Sequence, residues 1–464
     1  MGSNRRSFIR TSGMFFTGIA SSSFLEKNLA LGPGQGVKRN NHHFNMCGYA
    51  APKLETVRIG YIGLGNRGSL AILRMIHIEG AEIKALCDVR TEKVMAANQA
   101  LKEKNASYQP VLYSGNPTDW KKLCERSDID LVYIATPWAL HTPMAVYAMK
   151  HGKHVCVEVP AAKTLDECWQ LVETSEATKK HCIILENCCY DYFELLTQNM
   201  ARNGLFGEII HGEGAYIHTL LEDLFSKEKY FSFWRLKENF RNGNLYPTHG
   251  LGPIAQTMGI NRGDKMEMMV SVASNDFQTA AMASELAANN PDYKPFVGKS
   301  FRGNINTSII KTAKGKTIML QHDITSPNVY SRIHKLSGTK GSCLKYPLPG
   351  KIAFGHKDWI TNEEFADLEI KYKPAIYKIV GELAKQIGGH GGMDFLMDWR
   401  IIDCLRNGLP VDMDVYDAAL WSAIAPLSED SIANHFNSVR VPDFTSGNWK
   451  NNKPTDISLS HIAS

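Results

Sequence analysis

The sequence predicts an α/β protein in which residues 54–186 form a doubly wound parallel sheet and residues 187–464 form an α+β domain on a mostly antiparallel, open sheet. Two patterns predict this. From Val57 to about Ile184, short β-rich runs (VRIGYIG, EIKALCD, DLVYIATP, HVCVEV and HCIILEN) alternate with helical stretches such as RTEKVMAANQALKEK, the rhythm of a parallel sheet covered on both faces. After Asn187 the runs GEIIHGEGAYIHT, MVSVASNDF, TSIIKTAKGKTIMLQHDIT and RIHKLSGTKGSCLKY follow one another as strands, with Ala313-Lys314-Gly315-Lys316 as a hairpin turn. The last part, including MDFLMDWRIIDCLRNGL and VDMDVYDAALWSAIAPLSEDSIANH, is helical again and is expected to pack on one of the two domains.

Near its start the chain carries Asn4-Arg5-Arg6-Ser7-Phe8-Ile9-Arg10 ahead of the mildly apolar TSGMFFTGIASSSFL. This reads as a twin-arginine signal over residues 1–31 and places the protein in the periplasm or another extracytoplasmic space. Residues 32–53, polar and Gly-rich, read as a linker. Beyond the N-terminus no apolar run approaches the ~18 residues of a membrane span. Lys+Arg 52 against Asp+Glu 47 leaves a formal charge of +5 over 464 residues, too even a balance for nucleic acid or an anionic membrane as partner. A small neutral molecule fits better, and a homo-oligomer stays compatible. Of the cysteines, Cys87, Cys156 and Cys182 lie inside apolar runs, and no CxxC or Cys/His zinc spacing occurs, so buried free thiols and no metal are expected. Cys188-Cys189 read as packing residues.

Thr56 to Gly68, TVRIGYIGLGNRG, leads an apolar strand into Gly63-x-Gly65-x-x-Gly68 and then into the helix-like SLAILRMI. This is a dinucleotide fingerprint in its proper context: glycines for a tight turn, for close approach to a pyrophosphate and for helix-to-strand contact, with the phosphates at the helix N-terminus. About 20 residues on, AEIKALCDV ends in Asp88, where a carboxylate accepts hydrogen bonds from a ribose 2′-OH and repels a 2′-phosphate, which favours NAD over NADP. Thr136-Pro137-Trp138-Ala139-Leu140-His141 and Glu158-Val159-Pro160 end later strands and so should border the nicotinamide end of the cofactor. His141 reads equally as a helix-start residue; Glu158, a carboxylate ending an apolar strand, needs a polar partner.

In the second domain, Trp234-Arg235 and the run Arg241 to Pro253, RNGNLYPTHGLGP, form a polar, turn-prone patch of the kind where catalytic groups collect. His249 is the candidate proton carrier, with Tyr246 three residues earlier able to share its site. Tyr190, Tyr216 and Tyr330 are weaker candidates on sequence alone, because most tyrosines in such runs are core residues with a satisfied hydroxyl.

These residues resemble the NAD-binding sugar and inositol oxidoreductases typified by glucose–fructose oxidoreductase and inositol dehydrogenase, which pair a Rossmann domain with an open α/β domain. The resemblance covers the chain from Thr56 onward. Typical members carry a lysine after the glutamate, in E-K-P, and an aspartate four residues before the histidine; here Val159 and Leu245 occupy those positions. The departures form a pattern of their own. GLGNRG, TPWALH, the EVP segment, ENCCY at Glu186 to Tyr190, RNGNLYPTHGLGP and GGHGGMDF at Gly388 to Phe395 together resemble glycoside hydrolase family 109, the NAD-dependent α-N-acetylgalactosaminidases.

That resemblance implies NAD contacts at Asn66, Arg67, Asp88, Trp138, Ala139, Leu140, His141, Glu158, Val159 and Asn187, beside the fingerprint glycines. It implies sugar contacts at Tyr216, Arg235, Tyr246, Pro247, Thr248, His249 and Tyr330, with Arg235 between cofactor and sugar. It also implies a cycle in which hydride leaves C3, the resulting ketone acidifies C2–H, the glycosidic oxygen departs from C1 by elimination, water adds, and hydride returns. His249 is assigned as principal acid/base, Tyr190 as a C2 base and Glu158 as an orienting or acid group. The substrate is then a glycan bearing terminal α-N-acetylgalactosamine. An exported NAD(P)-dependent sugar oxidoreductase is the alternative reading, and a non-enzymatic sugar sensor a third.

Overall fold

The computed structural model describes residues 44–355 and 358–455. The twin-arginine segment and the linker up to residue 43 lie outside the described residues.

The first sheet has six parallel strands: β1 (Val57–Ile62), β2 (Ala81–Asp88), β3 (Val111–Ser114), β4 (Leu131–Ile134), β5 (His154–Val157) and β6 (Cys182–Ile184), in the order β3-β2-β1-β4-β5-β6. Every residue of β4, β5 and β6 is buried, because helices cover both faces of a parallel sheet, and this is why these strands read as continuous apolar runs. The sequence foresaw five of the six. VLYS of β3 was missed: it is a short edge strand with Val111 and Leu112 exposed, so it carries no burial pattern.

The second sheet has eight strands: β7 (Ile209–Ile217), β8 (Met266–Ala273), β9 (Ile305–Thr312), β10 (Thr317–Asp323), β11 (Lys335–Gly338), β12 (Gly341–Leu344), β13 (Lys351–Phe354) and β14 (Val439–Arg440), ordered β13-β12-β11-β7-β10-β9-β8-β14. Six of its pairings are antiparallel, and only β7 with β10 runs parallel. The β9–β10 hairpin turns at Ala313 to Lys316, with Thr312 opposite Thr317's neighbour Lys316 through a backbone bond of 2.9 Å.

The C-terminal helices serve both sheets, not one. Helix Val415–Ala433, buried along nearly its whole length, packs on helix Leu165–Thr178 and β6 on one side and on β8 on the other. Its start is anchored by Arg262, whose guanidinium reaches Asp414 at 2.8 Å and Asp417 at 2.6 Å in a fully buried cluster. Helix Met393–Asn407 packs on helix Asn66–Met75, the one that follows the fingerprint.

One contact positions everything that follows. Helix Thr248–Met258 crosses β7 so closely that a Cβ added to Gly214 would stand 2.3 Å from the Gly250 carbonyl oxygen, and one added to Gly250 would stand 2.4 Å from the Ala215 nitrogen. The next glycine of the same helix, Gly252, faces the 186–190 turn, where a Cβ would meet Cys189 Sγ and Glu186 Cγ at 2.9 Å. THGLGP therefore leaves the helix bare on two opposite sides, with β7 backbone against Gly250 and side chains of the 186–190 turn against Gly252. Gly214→Ala should push the helix off β7 and lower stability by about 1–3 kcal/mol, the usual range for overpacking. Chemical denaturation checks this, and an unchanged midpoint would show that the crossing yields without cost.

Candidate active site

The fingerprint turn has the geometry its glycines require. Gly63 has φ +92°, and a Cβ on Gly68 would lie 1.9 Å from the Gly63 carbonyl oxygen. Gly65 caps helix Asn66–Met75 without a side chain, so nothing of its own covers the amide groups at that helix start. Asp88 ends β2 with one carboxylate oxygen 2.7 Å from the Leu64 amide and the other 2.9 Å from the Arg90 amide, which ties the second strand to the turn. Arg90 also pairs with Asp88 at 3.1 Å and lies over the Phe231 ring. No linear pattern pointed to that arginine, which partly neutralises the carboxylate expected to face the ribose.

From here a cavity of about 780 Å³ runs across both domains, from Asp88, Arg90 and Trp120 at one end to Tyr216, His249 and Tyr330 at the other. It is of the size and elongated form a dinucleotide and a sugar need together. The uncapped helix start, the bare Gly65 and the ribose-side carboxylate fit NAD at the first end.

At the middle of the cavity Arg67 draws three segments together. Its Nε donates to Glu158 at 2.9 Å and its Nη1 to Asp394 at 3.2 Å, while His390 of the GGHGG loop donates from Nδ1 to the same Asp394 oxygen at 2.9 Å. Asn187 donates its amide to the other oxygen of Asp394. Burial works against charge on Asp394, yet His390, Arg67 and Arg74 hold its carboxyl far below the ordinary range. Glu158 thus has the polar partner that its position at a strand end demanded.

The far end is aromatic. Tyr246 stacks on Trp138 with centroids 5.8 Å apart, and Tyr216 sits 4.8 Å from Tyr246 and 5.3 Å from His249. The Arg235 guanidinium is boxed by the rings of Tyr246, Tyr230 and Trp138 at 5.1, 5.3 and 5.7 Å. Only its Nη1 has a well-aligned bond, to the Tyr230 hydroxyl at 2.9 Å; Nε and Nη2 are buried without one. Such a guanidinium offers donors to a ligand oxygen. Burial pushes the Tyr246 phenol well above its ordinary value and the Tyr216 phenol up as well, so both remain neutral hydrogen-bond donors rather than bases.

His249 opens helix Thr248–Met258, and its Nδ1 lies 2.7 and 2.9 Å from the two oxygens of Glu186. Glu186 is completely buried and also accepts the Cys188 amide at 3.1 Å. Burial would lift its carboxyl, but the His249 ring outweighs that and keeps it below the usual carboxylate range. An ionised carboxylate only accepts, so Nδ1 carries a proton, and in the neutral ring Nε2 carries the lone pair. This carboxylate stands in space where Leu245 has none to offer.

The structure brings together at this cavity Gly63, Gly65, Asn66, Arg67, Asp88, Trp138, Leu140, His141, Glu158, Val159, Asn187, Tyr216, Arg235, Tyr246, His249 and Tyr330. His141 is also a packed residue, its two ring nitrogens 2.7 Å from the carbonyls of Pro160 and Thr136. Gly68 acts behind the turn, and Ala139, Pro247 and Thr248 do not line the cavity; Pro247 and Thr248 begin the His249 helix. Tyr190 requires correction. Its hydroxyl donates to buried Asp412 at 2.9 Å, away from the cavity, and burial together with Asp412 pushes the phenol far above its ordinary value, so it is not placed to take a C2 proton. The residues that sequence reasoning left without a role are Glu186, His390, Asp394, Trp234 and His218. Their one linear signal was the grouping of glycines in GGHGG and of polar residues in ENCC; the partnerships themselves are long-range.

The family description "Glycosyl hydrolase 109, C-terminal domain" matches residues 190–451, and "Oxidoreductase family, NAD-binding Rossmann fold" matches residues 57–186. A Bacteroides fragilis protein named alpha-N-acetylgalactosaminidase is 48% identical over 414 residues, spanning 88% of this chain and 96% of its own. The chain belongs to glycosyl hydrolase family 109. A family 109 protein of Porphyromonas gingivalis is likewise 48% identical over 419 residues, 86% of each chain. Among solved structures, levoglucosan dehydrogenase in complex with NADH and levoglucosan superposes with a TM-score of 0.61 at 18% identity, over 84% of this chain and all of that one. This likeness shows the fold: a family 109 chain is built on the frame of a sugar oxidoreductase, with an NAD-binding first domain.

Asp88→Ala removes both the ribose-side acceptor and the anchor of the Leu64 amide. It should weaken NAD retention about 10-fold or more, since hydrogen bonds to charged groups contribute about 1.5–3 kcal/mol, and it should relax the preference over NADP. Bound dinucleotide after dialysis measures this; retention equal to the parent would remove Asp88 from the ribose site.

Proposed function

We propose that this protein hydrolyses terminal α-N-acetylgalactosaminides, using NAD as a recycled cofactor. The observation that carries the reading is the Glu186–His249 pair, whose histidine lines an aromatic pocket continuous with a dinucleotide site. Family membership supports it, through the relative named for this activity.

The turn at Gly63 and Gly65 with Asp88 would hold NAD, which when bound would supply a reversible hydride acceptor beside the sugar. The chain supplies the proton handling. His249 Nε2 accepts a proton from the sugar, Glu186 stabilises the imidazolium so formed, and the ring returns the proton in the reverse step. Tyr216 and Tyr246, held neutral, donate hydrogen bonds to sugar oxygens, and Arg235 presents its two free N–H edges beside them. Arg67 orients Glu158 toward the same region. Val159 and Leu245, both buried, cannot carry a proton, which separates this site from that of the alcohol-oxidising relatives.

Protein purified without added NAD should contain the dinucleotide and hydrolyse nitrophenyl α-N-acetylgalactosaminide through many turnovers. Reduced cofactor accumulating in proportion to product would point to a net sugar oxidoreductase instead. His249→Ala should lower kcat by roughly 10²–10⁴ with NAD still bound, the usual worth of a positioned acid/base. Glu186→Gln should lose kcat on the order of 10²–10⁴ with KM little changed, because an amide that donates to Nδ1 forces the proton onto Nε2. Activity within about threefold of the parent in both variants would take the pair out of the mechanism.

Elimination leaves an isotopic record that direct displacement does not. Hydrolysis in D₂O should give N-acetylgalactosamine with deuterium at C2, and substrate deuterated at C2 or C3 should react more slowly. Full activity after NAD removal, with neither exchange nor an isotope effect, would reject the cycle.

Asn4 to Arg10 further supports export by the twin-arginine route to an extracytoplasmic space, where a recycled cofactor needs no external pool. Replacing Arg5 and Arg6 by lysine should leave the protein in the cytoplasm on fractionation; unchanged export would exclude that route.

A further inference from the structure

Zinc-ligand spacing is absent from the linear sequence, but the fold assembles a ligand set. Glu186, Cys188 and His249 each offer one ligand atom, and those atoms all lie within 4.8 Å of one another. Cys188 and His249 line the cavity and Glu186 does not, which puts the three-ligand cluster in the cavity wall. Cys188 is otherwise poorly employed: its Sγ finds only Asn187 Oδ1, at 3.6 Å. Burial pushes this thiol well above its ordinary value, so it is protonated in the resting protein.

We propose that Glu186, Cys188 and His249 form an inhibitory site for a zinc-group cation, Zn²⁺ or Cd²⁺. One sulfur, one nitrogen and one carboxylate oxygen are the donors this class takes, with the fourth position left to water from the cavity. Magnesium and calcium prefer all-oxygen shells and are not suited to it. A thiolate and a carboxylate together match the charge of the ion. Arg332, the nearest cation acting on Cys188, is already paired with Asp191 at 2.7 Å and Glu194 at 2.6 Å.

The consequence for His249 follows from its two nitrogens. Glu186 now holds the proton on Nδ1, the atom on the ligand side. A cation bound at Nδ1 displaces that proton to Nε2, and the Cys188 thiol proton leaves to solvent, so one proton is released per ion. The imidazole then presents N–H to the cavity where the proposed reaction needs a lone pair. Inhibition should therefore fall on kcat more than on KM, and ion affinity should rise about tenfold per pH unit while the thiol remains protonated. The inhibitory consequence rests on the proposed glycosidase reading; the binding does not.

The test titrates the full NAD-loaded chain with CdCl₂ and ZnCl₂, reading the ultraviolet cadmium–thiolate charge-transfer band and nitrophenyl α-N-acetylgalactosaminide hydrolysis in parallel. One cadmium per chain should saturate the band as hydrolysis is lost, and EDTA should reverse both. Cys188→Ala should abolish the band and weaken inhibition by more than the ~10–100-fold that loss of an outer partner of a metal site brings, with metal-free activity within about threefold of the parent. His249→Ala should weaken cadmium binding by the band alone, a readout that holds even if the chain does not cleave this substrate. No saturable band, or a band and inhibition unchanged in Cys188→Ala, would overturn the proposal. If Cys188→Ala does not fold, Cys188→Ser takes its place with the same two outcomes.

Discussion

The bond from His249 Nδ1 to Glu186, 2.7 Å long and shielded from water, is the interaction on which the site turns. A histidine in a loop would sample both tautomers and several orientations. Here the carboxylate selects one of each, and it can do so only because it is ionised in a place where burial alone would neutralise it. Two glycines on opposite sides of helix Thr248–Met258 bring the ring within reach: with side chains at 250 and 252 the helix could not settle on both β7 and the 186–190 turn. Catalytic geometry and backbone packing are thus one constraint.

A second set of contacts makes the cavity a joint property of the domains. Arg67, from the fingerprint itself, reaches Glu158 on the first sheet and Asp394 on the C-terminal helix, and His390 closes on the same carboxylate. Asn187 completes the ring of partners. Because Asp394 is buried, losing any one of these donors leaves charge exposed to a low-dielectric interior, which is why the region holds together rather than flexing piecemeal. The aromatic box around Arg235 does the equivalent at the sugar end, fixing a long side chain by ring contacts while leaving two N–H edges open.

The frame is that of sugar oxidoreductases, and the family 109 character lies in what changed on it. Val159 and Leu245 stand where the resemblance to sugar oxidoreductases implies a lysine and an aspartate. Glu186 restores a carboxylate to the histidine from another segment, 63 residues away in sequence. His249 at the cavity wall is held by a carboxylate from a turn that also carries a thiol.

Much of this was open to reading because it is local. The glycine fingerprint, Asp88 after the second strand, the Ala313 to Lys316 hairpin and the tyrosine-histidine run each depend on neighbours within a few residues, so composition and spacing determine them. Strand β3 escaped because an exposed edge leaves no hydrophobic period. Tyr190 was misplaced because side-chain direction after a strand end is decided by packing, which turned its hydroxyl to Asp412. The sequence by itself determined the cofactor fold and the family, and it singled out His249 as the candidate proton carrier. Only the tertiary structure decided which carboxylate holds that histidine, which arginine joins the domains and which thiol lies beside them, since these pairings are made by elements that meet only when the two sheets and the C-terminal helices have packed.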